Sequence, residues 1–211
     1  MSASADRTER WHRNWDKHSR TYDREMRFWD RALLRDSRQW ACSQATGEVL
    51  EVAIGTGLNL AVYPESVTLT GLDLSEEMLN VARRRADDLD RDVDLKQGNA
   101  DALPFGDATF DTVVCTLGLC AIPDMDTAID EMRRVLRPGG RLILVDHIES
   151  SSLLARGVQR LLEFATIPLG GEHFLRRPLT KVRAAGFDVE RVQRFKLGLV
   201  ERLVARKPMP S

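Results

Sequence analysis

The chain has 211 residues, 43% of them hydrophobic, which is enough for one domain with a continuous core. Its 31 basic and 32 acidic residues nearly cancel, so no global field attracts nucleic acid and none is expected as a partner. The three cysteines form no C-x-x-C pair, which predicts no metal site and favours a reducing, cytoplasmic setting. The charged first residues do not resemble a secretory signal, and no run of about 18 apolar residues predicts a membrane span.

The first 46 residues are predicted to form a helical lid over the rest of the chain. Large apolar side chains recur there at steps of three, four or seven, which places them on one helical stripe. Basic residues flank the stripe, as in helices that lie at a membrane interface, although acidic residues are interleaved. The stripe consists of Trp11, Trp15, Tyr22, Met26, Trp29 and Leu33.

Between residues 47 and 150, short apolar segments alternate with amphipathic ones, which predicts a mostly parallel sheet with helices on both faces. One helix is capped by Ser75, with two glutamates in its first turn. Another spans Asp124–Arg137 and is stopped by the Pro138-Gly139-Gly140 segment. The five strands are predicted over Glu48–Ala53, Val67–Asp73, Val93–Gly98, Phe110–Thr116 and Arg141–Val145.

The last third of the chain is predicted to add a substrate-side insertion and to complete the sheet. Residues 151–177 contain an apolar helix whose side chains are expected to contact the substrate or, for about half of them, to complete the core. Residues 178–211 contain a helix, Leu179–Ala185, and the strands Phe187–Phe195 and Leu199–Ala205. Together these elements predict a single α/β domain with a doubly wound, Rossmann-like sheet of about seven strands, the last pair antiparallel.

The first strand leads into a turn, Gly55-Thr56-Gly57, where glycines permit positive φ angles and let a ligand approach the backbone. A dinucleotide-binding turn needs a third glycine where this chain has Leu60, and a phosphate-binding loop needs a lysine that the turn lacks. The turn therefore suits a nucleoside without a 5′-phosphate. Asp73, at the end of the second strand, is predicted to accept hydrogen bonds from the ribose diol.

The loop after the third strand offers contacts to an adenine base. Asn99 or Asp101 could bind the adenine amino group, and the backbone amide of Ala100 could bind a ring nitrogen. Taken alone, this segment is better interpreted as an ordinary polar loop.

Four segments in a fixed order resemble the successive motifs of class I S-adenosylmethionine-dependent methyltransferases, most closely the quinone-biosynthesis and phospholipid N-methyltransferase branch. They are VLEVAIGTGLNL, LTGLDLSEEML, GNADALPFGDATFD and EMRRVLRPGGRLILVDH, and the resemblance covers about residues 20–148. It implies S-adenosyl-L-methionine as the cofactor and S-adenosyl-L-homocysteine as the product. The implied cofactor-binding residues are Tyr22, Glu51, Ala53, Gly55, Thr56, Gly57, Asp73, Leu74, Met78, Asn99, Ala100, Thr116 and Leu117.

The resemblance also implies where parts of the cofactor lie. Glu51 is expected near the methionine amino group and Tyr22 near its carboxylate. Thr116 and Leu117 are expected beneath the sulfonium.

The chain departs from the family pattern in the turn and in the adenine loop. Ala53 and Asn59 stand where glycines are usual, and Asn99 stands where an aspartate is commoner. Neither change removes a chemically essential group.

Methyl transfer needs a base only if the acceptor must lose a proton. The candidates are Asp146 and His147 after the fifth strand, with Glu172 and His173 in the insertion. A purely structural role remains the alternative for His147 and His173. The sequence shows no pairing that favours covalent catalysis.

The apolar insertion favours a small hydrophobic or aromatic methyl acceptor, such as a lipid, a quinone or a secondary metabolite. The acceptor atom and the oligomeric state stay open. One alternative is a phospholipid N-methyltransferase attached to a membrane surface through the N-terminal stripe. A more remote alternative is a nucleotide-dependent oxidoreductase, which shares the strand, the glycine turn and the acidic residue.

Overall fold

Seven strands form one sheet at the centre of the computed structural model, which describes residues 15–17, 19, 21–170 and 173–210, with the backbone alone for 155 and 165–170. The strands are β1 (Glu48–Val52), β2 (Thr68–Asp73), β3 (Asp94–Gln97), β4 (Phe110–Thr116), β5 (Leu136–His147), β6 (Asp188–Phe195) and β7 (Val200–Arg206). Their order is β3-β2-β1-β4-β5-β7-β6. Strands β1 to β5 run parallel, and β7 lies antiparallel between β5 and β6. The predicted doubly wound α/β fold with an antiparallel last pair is confirmed.

The helices that accompany the sheet begin with α1, over residues 21–29, which continues into a π-helical turn, Asp30–Leu34. The helix α3 (Glu76–Asp88) has the predicted cap, because the Ser75 hydroxyl accepts a hydrogen bond from the Met78 amide at 3.2 Å. The remaining helices are α2 (Ser37–Cys42), α3 (Glu76–Asp88), α4 (Met125–Val135), α5 (Leu153–Gly170) and α6 (Pro178–Ala184).

Both faces of the sheet are covered, as successive residues of β4 show. Val113 and Cys115 pack into one apolar cluster and Val114 into the other, and all three are buried. The chain leaves β1 for β2 on one side and returns, after β3, to β4 on the other side. At such a switch point the connections diverge, which opens a crevice at the carboxyl ends of β1 and β4.

The boundary between α4 and β5 differs from the prediction. The helix ends at Val135, and Leu136 already pairs with Phe110 of β4. The segment Pro138-Gly139-Gly140 is therefore an irregularity inside a strand, and the pairing resumes at Arg141. Cross-strand pairing overrides the helical pattern of the preceding residues.

The N-terminal stripe does not form one continuous face. Trp15 and Tyr22 point towards the sheet and Met26 is buried, but the side chain of Trp29 is half exposed. Trp29 is the last residue before the helix changes from α-helical to π-helical geometry at Asp30, so the regular spacing of the stripe ends there. Trp11 lies outside the described residues.

The apolar insertion also differs from the prediction, because its described large side chains do not complete the core. The side chains of Ile167 and Leu169 are outside the described set. Among the described residues, no helix combines the length and the apolar character needed to cross a membrane. The exposed side chains of α5 are Leu153, Leu154, Val158, Leu161, Leu162 and Phe164.

The two glycines of the turn after β1 have different surroundings. Both have positive φ angles, +58° at Gly55 and +76° at Gly57. A Cβ on Gly57 would lie 2.8 Å from Cδ1 of Leu60 and 3.2 Å from Cβ of Ala82, so this glycine allows the turn to pack against α3. A Cβ on Gly55 would meet only Tyr22, at 3.8 Å.

We expect Gly57→Ala to lower the free energy of unfolding by about 1–3 kcal/mol, because the methyl adds crowding to an unfavourable φ. Gly106→Ala is the matched control, since its Cβ would meet only Thr109, at an ordinary 3.5 Å. Urea unfolding of the two variants measures the difference. Equal stability would show that the turn can move away from α3.

Candidate functional site

A crevice with about 630 Å³ of empty space, part of it open to solvent, lies at the carboxyl ends of β1 and β4. Three segments predicted from the sequence meet there: the glycine turn, the end of β2 and the loop after β3. The wall consists of Trp15, Tyr22, Ala53, Gly55, Leu72, Asp73, Leu74, Met78, Gly98, Asn99, Ala100, Leu117, Gly118, Ala121, Ile122 and Pro123.

Asp73 is a buried carboxylate on this wall and connects two loops. Its Oδ2 accepts a hydrogen bond from the Gly55 amide at 2.8 Å, and its Oδ1 accepts one from the Ser75 amide at 2.9 Å. Burial raises the pKa of Asp73, and these amide hydrogen bonds oppose the shift. A carboxylate offers about four acceptor positions, so both oxygens can accept a further donor from a ligand.

Ala53 adopts a backbone conformation that favours glycine, with φ at +56°. Its methyl group faces Gly118 in the loop after β4, where an added Cβ would lie 2.7 Å from Cβ of Ala53. The methyl that distinguishes this chain from the usual glycine therefore packs against the opposite wall of the crevice.

Two aspartates fasten the start of the chain over the crevice. The Ser75 hydroxyl donates to Oδ1 of Asp16 at 2.5 Å. Asp23 forms an ion pair with Arg85 of α3, and its Oδ1 accepts from the Thr56 hydroxyl at 2.6 Å. Thr56 thus binds the lid with its side chain and does not line the crevice.

Tyr22 lies between these two attachments and lines the crevice. Its ring meets Trp15 edge to face, with centroids 6.3 Å apart. Burial raises the pKa of Tyr22 well above its ordinary value, so its hydroxyl stays protonated and can donate a hydrogen bond.

A buried polar network lies behind the glycine turn, with Asn59 at its centre. The Asn59 amide nitrogen donates to Oε1 of Glu51 at 2.6 Å and to the Thr116 hydroxyl at 2.8 Å. Arg38 donates to the Asn59 amide oxygen at 3.0 Å and to Asp30 at 2.9 Å. Thr116 therefore belongs to this network and does not line the crevice, whereas Leu117 does.

Two atoms of the network are buried without a hydrogen-bond partner among the described residues. They are Oε2 of Glu51 and Nη2 of Arg38. Burial raises the pKa of Glu51 to about 7, opposed by the hydrogen bond from Asn59 and by the nearby Tyr63 hydroxyl. Neither Glu51 nor Arg38 belongs to the crevice wall, and the two atoms lie behind the turn.

Most of the residues predicted to bind the adenine lie on the crevice wall. Asn99, Ala100, Leu74 and Met78 all line the crevice, whereas Asp101 does not. The Asn99 oxygen accepts a hydrogen bond from the Asp101 amide at 3.0 Å, which shapes the loop.

The three candidate catalytic groups lie outside the crevice wall. Asp146 is fully buried, and its oxygens accept from the backbone amides of Cys120 at 3.1 Å and His147 at 2.8 Å. The His147 ring stacks on Phe174 at 4.8 Å, and its Nδ1 is buried without a partner among the described residues. The His173 amide donates to the Cys120 carbonyl at 3.0 Å, and burial lowers the pKa of its imidazole. Glu172 lies outside the described residues.

Sequence reasoning missed Arg38, Asp23 and Arg85. Each belongs to a helix whose charged residues look like an ordinary solvated surface. Two of the partners of Arg38, Asn59 and Thr116, lie 21 and 78 residues away, so no local spacing indicates them. The lid residues Asp16 and Asp23 contact two different loops, and they belong to no recognisable sequence motif either.

We expect Glu51→Gln to raise the free energy of unfolding by about 1–3 kcal/mol near pH 8 and to change it little near pH 5. The folded-state pKa of about 7 lies above the ordinary value of 4.5, so the folded chain holds a proton that the unfolded chain releases as pH rises. Stability is therefore lost between these two pKa values, and glutamine removes that loss. Urea unfolding across this pH range tests it, with exposed Glu65→Gln as the control. Parallel pH profiles for wild type and Glu51→Gln would contradict the shift.

Comparison with known proteins links this site to one family. Residues 50–144 match the family model described as a methyltransferase domain. The chain is 42% identical over 103 residues to phosphatidylethanolamine N-methyltransferase of Cereibacter sphaeroides, which covers 48% of this chain and 51% of that protein. It is 36% identical over 135 residues to demethylmenaquinone methyltransferase of Deinococcus radiodurans, covering 63% of this chain and 56% of that protein. The chain thus spans little more than half the length of these relatives.

Solved structures share the fold. An S-adenosylmethionine-dependent methyltransferase of Methanosarcina mazei has a TM-score of 0.64 at 24% identity, covering 79% of this chain and 95% of that one. The [4+2]-cyclase SpnF has a TM-score of 0.68 at 21% identity, covering 84% and 80%. At these identities the likeness shows the fold alone. The domain match, the relatives and the strand order together support a class I S-adenosylmethionine-dependent methyltransferase, a class whose cofactor is S-adenosyl-L-methionine.

Proposed function

We propose that the chain transfers a methyl group from S-adenosyl-L-methionine to a small acceptor with an apolar body. The observation that carries the proposal is the pairing, on one crevice wall, of the open backbone at Gly55 with the buried carboxylate of Asp73. The first admits a ligand against the turn and the second can accept hydrogen bonds from a diol. Leu60 is buried where a dinucleotide turn needs its third glycine, which disfavours the oxidoreductase alternative.

The described residues fit both ends of the cofactor. Its amino-acid end carries an ammonium and a carboxylate group, which are complementary to Oε2 of Glu51 and Nη2 of Arg38, the two unpartnered buried atoms of the network. We propose that Asp73 binds the ribose and that the loop of Asn99 and Ala100 contacts the adenine. Tyr22 covers the bound cofactor.

The work of the protein in the transfer step is mainly alignment. When bound, the cofactor would supply a methyl group on a sulfonium sulfur, and breaking that bond would release a neutral thioether, which is a good leaving group. Leu117, Gly118 and Ala121 line the crevice wall beyond the turn and leave room for an acceptor there. Tyr22 and Trp15 cover this wall and keep water from the reacting groups.

For an acceptor that must lose a proton, we propose His147 as the base in preference to Asp146. Both carboxylate oxygens of Asp146 already bind backbone amides and hold the loop after β4 in place. The Nδ1 of His147 has no such partner among the described side chains. His173 remains the second candidate, because burial lowers the pKa of its imidazole and so favours the neutral form.

The acceptor is proposed to join a small reactive headgroup to an apolar chain. The relatives named above act on phosphatidylethanolamine and on demethylmenaquinone, which both have this form. The far wall of the crevice adds apolar Ile122 and Pro123. A screen with methyl-labelled cofactor against a phospholipid amine, a quinol, a thiol and a polyphenol tests the proposal. Transfer to water-soluble acceptors alone would contradict it.

We expect His147→Gln to lower kcat by about 10²–10⁴-fold with a protonated acceptor while KM changes little, because base catalysis acts only in the transition state. His173→Gln is the matched variant on the other side of Cys120. The pH–rate profile of each variant identifies which imidazole titrates. If the acidic limb of the pH–rate profile is unchanged in both variants, neither histidine is the base that accepts the proton.

We expect Asp73→Asn to weaken binding of 5′-deoxy-5′-methylthioadenosine by about 1–3 kcal/mol, through the lost hydrogen bonds to the ribose. The same substitution should cost much less for the 2′,3′-dideoxy analogue, which lacks the diol. Calorimetry on both proteins with both ligands gives the coupling energy and cancels any general loosening of the turn. An equal loss of binding free energy for the two ligands would show that Asp73 does not bind the ribose hydroxyls.

A further inference from the structure

Helix α5 is amphipathic with its polar side turned towards the protein. Gln159 is buried and donates to the Ile148 carbonyl at 2.9 Å, while its oxygen accepts from the Ser150 amide at 2.8 Å. Glu163, one turn further on the same side, accepts from the Phe174 amide at 2.6 Å. Side chains that face the core of a soluble protein are normally apolar, so this arrangement is the reverse of the usual one.

The opposite side of α5 is apolar and exposed to solvent. Leu154, Leu161 and Phe164 are 82%, 75% and 86% exposed. At 100° per residue, the large apolar side chains from Leu153 to Phe164 fall on one half of the helix, and the polar ones on the other. Singly exposed leucines need no explanation, but a contiguous face of this kind marks an interaction surface.

Positive charge borders this face. Arg160 is exposed at its edge. The turn between β6 and β7 lies against the start of the helix, since the Ser150 hydroxyl donates to the Leu197 carbonyl at 2.7 Å. That turn presents exposed Leu197, 71% accessible, next to exposed Lys196. The only acid in the described side chains of α5, Glu163, faces inward.

This combination favours an anionic lipid surface over a second copy of the chain. A wide apolar face with cations at its border is complementary to acyl chains beneath negative headgroups. In a symmetric contact, two such faces would bring like charges together around the apolar centre.

We propose that the outward side of α5, together with Lys196 and Leu197, docks the protein on the surface of an anionic lipid bilayer. This docking rests on the proposed function and deepens it. An enzyme whose acceptor has an apolar chain would meet that acceptor in the lipid bilayer. Docking here differs from attachment through the N-terminal stripe, whose Trp15 and Tyr22 line the crevice instead.

The docking helix is connected to the candidate site through one short segment. Glu163 binds the amides of Phe174 and Leu175, at 2.6 and 2.9 Å. The neighbouring His173 amide donates to Cys120, in the loop whose other residues form the far crevice wall. A bilayer that binds α5 would therefore lie next to residues 173–175, which border the part of the crevice proposed for the acceptor.

Co-sedimentation of the full chain with vesicles tests the proposal. We expect binding to phosphatidylcholine vesicles that contain phosphatidylglycerol, weakened by salt. Leu154→Gln with Leu161→Gln should reduce the partition coefficient at least about tenfold, because two apolar anchors are lost. Arg160→Gln should reduce it about fivefold. Exposed Met209→Gln, which lies by Gly139 away from α5, is the matched control and should bind like wild type.

Wild type that stays in the supernatant would overturn the proposal, and so would a double variant that binds as tightly as wild type. A wild-type dimer without vesicle binding, converted to a monomer by the double variant, would identify a second copy as the occupant and also overturn it. Circular dichroism verifies that the variants fold. Calorimetry with S-adenosyl-L-homocysteine tests the proposed function separately from membrane docking. Docking can fail while the cofactor product still binds, and cofactor binding can fail while docking persists.

Discussion

One buried carboxylate determines the shape of the cofactor side of this protein. Asp73 ends β2 and binds the amides of Gly55 and Ser75, so it fixes the glycine turn and the start of α3 relative to one another. Removing a carboxylate from water is costly, and the two amide hydrogen bonds offset that cost. The acceptor positions left over face the crevice. A group that holds the architecture is thereby also available to a ligand.

The lid depends on the same region. Asp16 reaches Ser75, beside one of the amides that Asp73 binds, and Asp23 reaches Thr56 within the glycine turn. Cover and floor are therefore joined by side-chain contacts to two loops that Asp73 already holds together. Because the contact of Asp23 with Arg85 is an ion pair between partly exposed side chains, ionic strength should weaken the cover more than the floor.

Local pattern was sufficient to predict the presence of the strands, the Ser75 cap and the positions of Gly55 and Asp73, because each depends on neighbours in the chain. Asn99 was indicated only by the family resemblance, since its segment taken alone is an ordinary polar loop. It failed where distant segments decide. The pairing of Leu136 with Phe110 ends α4 early, and Arg38 acquires its role from partners far along the chain. Helix α5 was predicted as apolar, but which half faces the protein is decided by the carbonyls and amides that Gln159 meets.

The contact between Ala53 and Gly118 makes two distant positions depend on each other. A methyl group on Gly118 would lie 2.7 Å from Cβ of Ala53 and 2.8 Å from Sγ of Cys115, so the loop after β4 has no room for one while both neighbours stay in place. Homologous sequences that have alanine at position 53 and cysteine at position 115 should therefore keep glycine at position 118. An engineer who wishes to place a side chain at position 118 would have to make room at positions 53 and 115 at the same time.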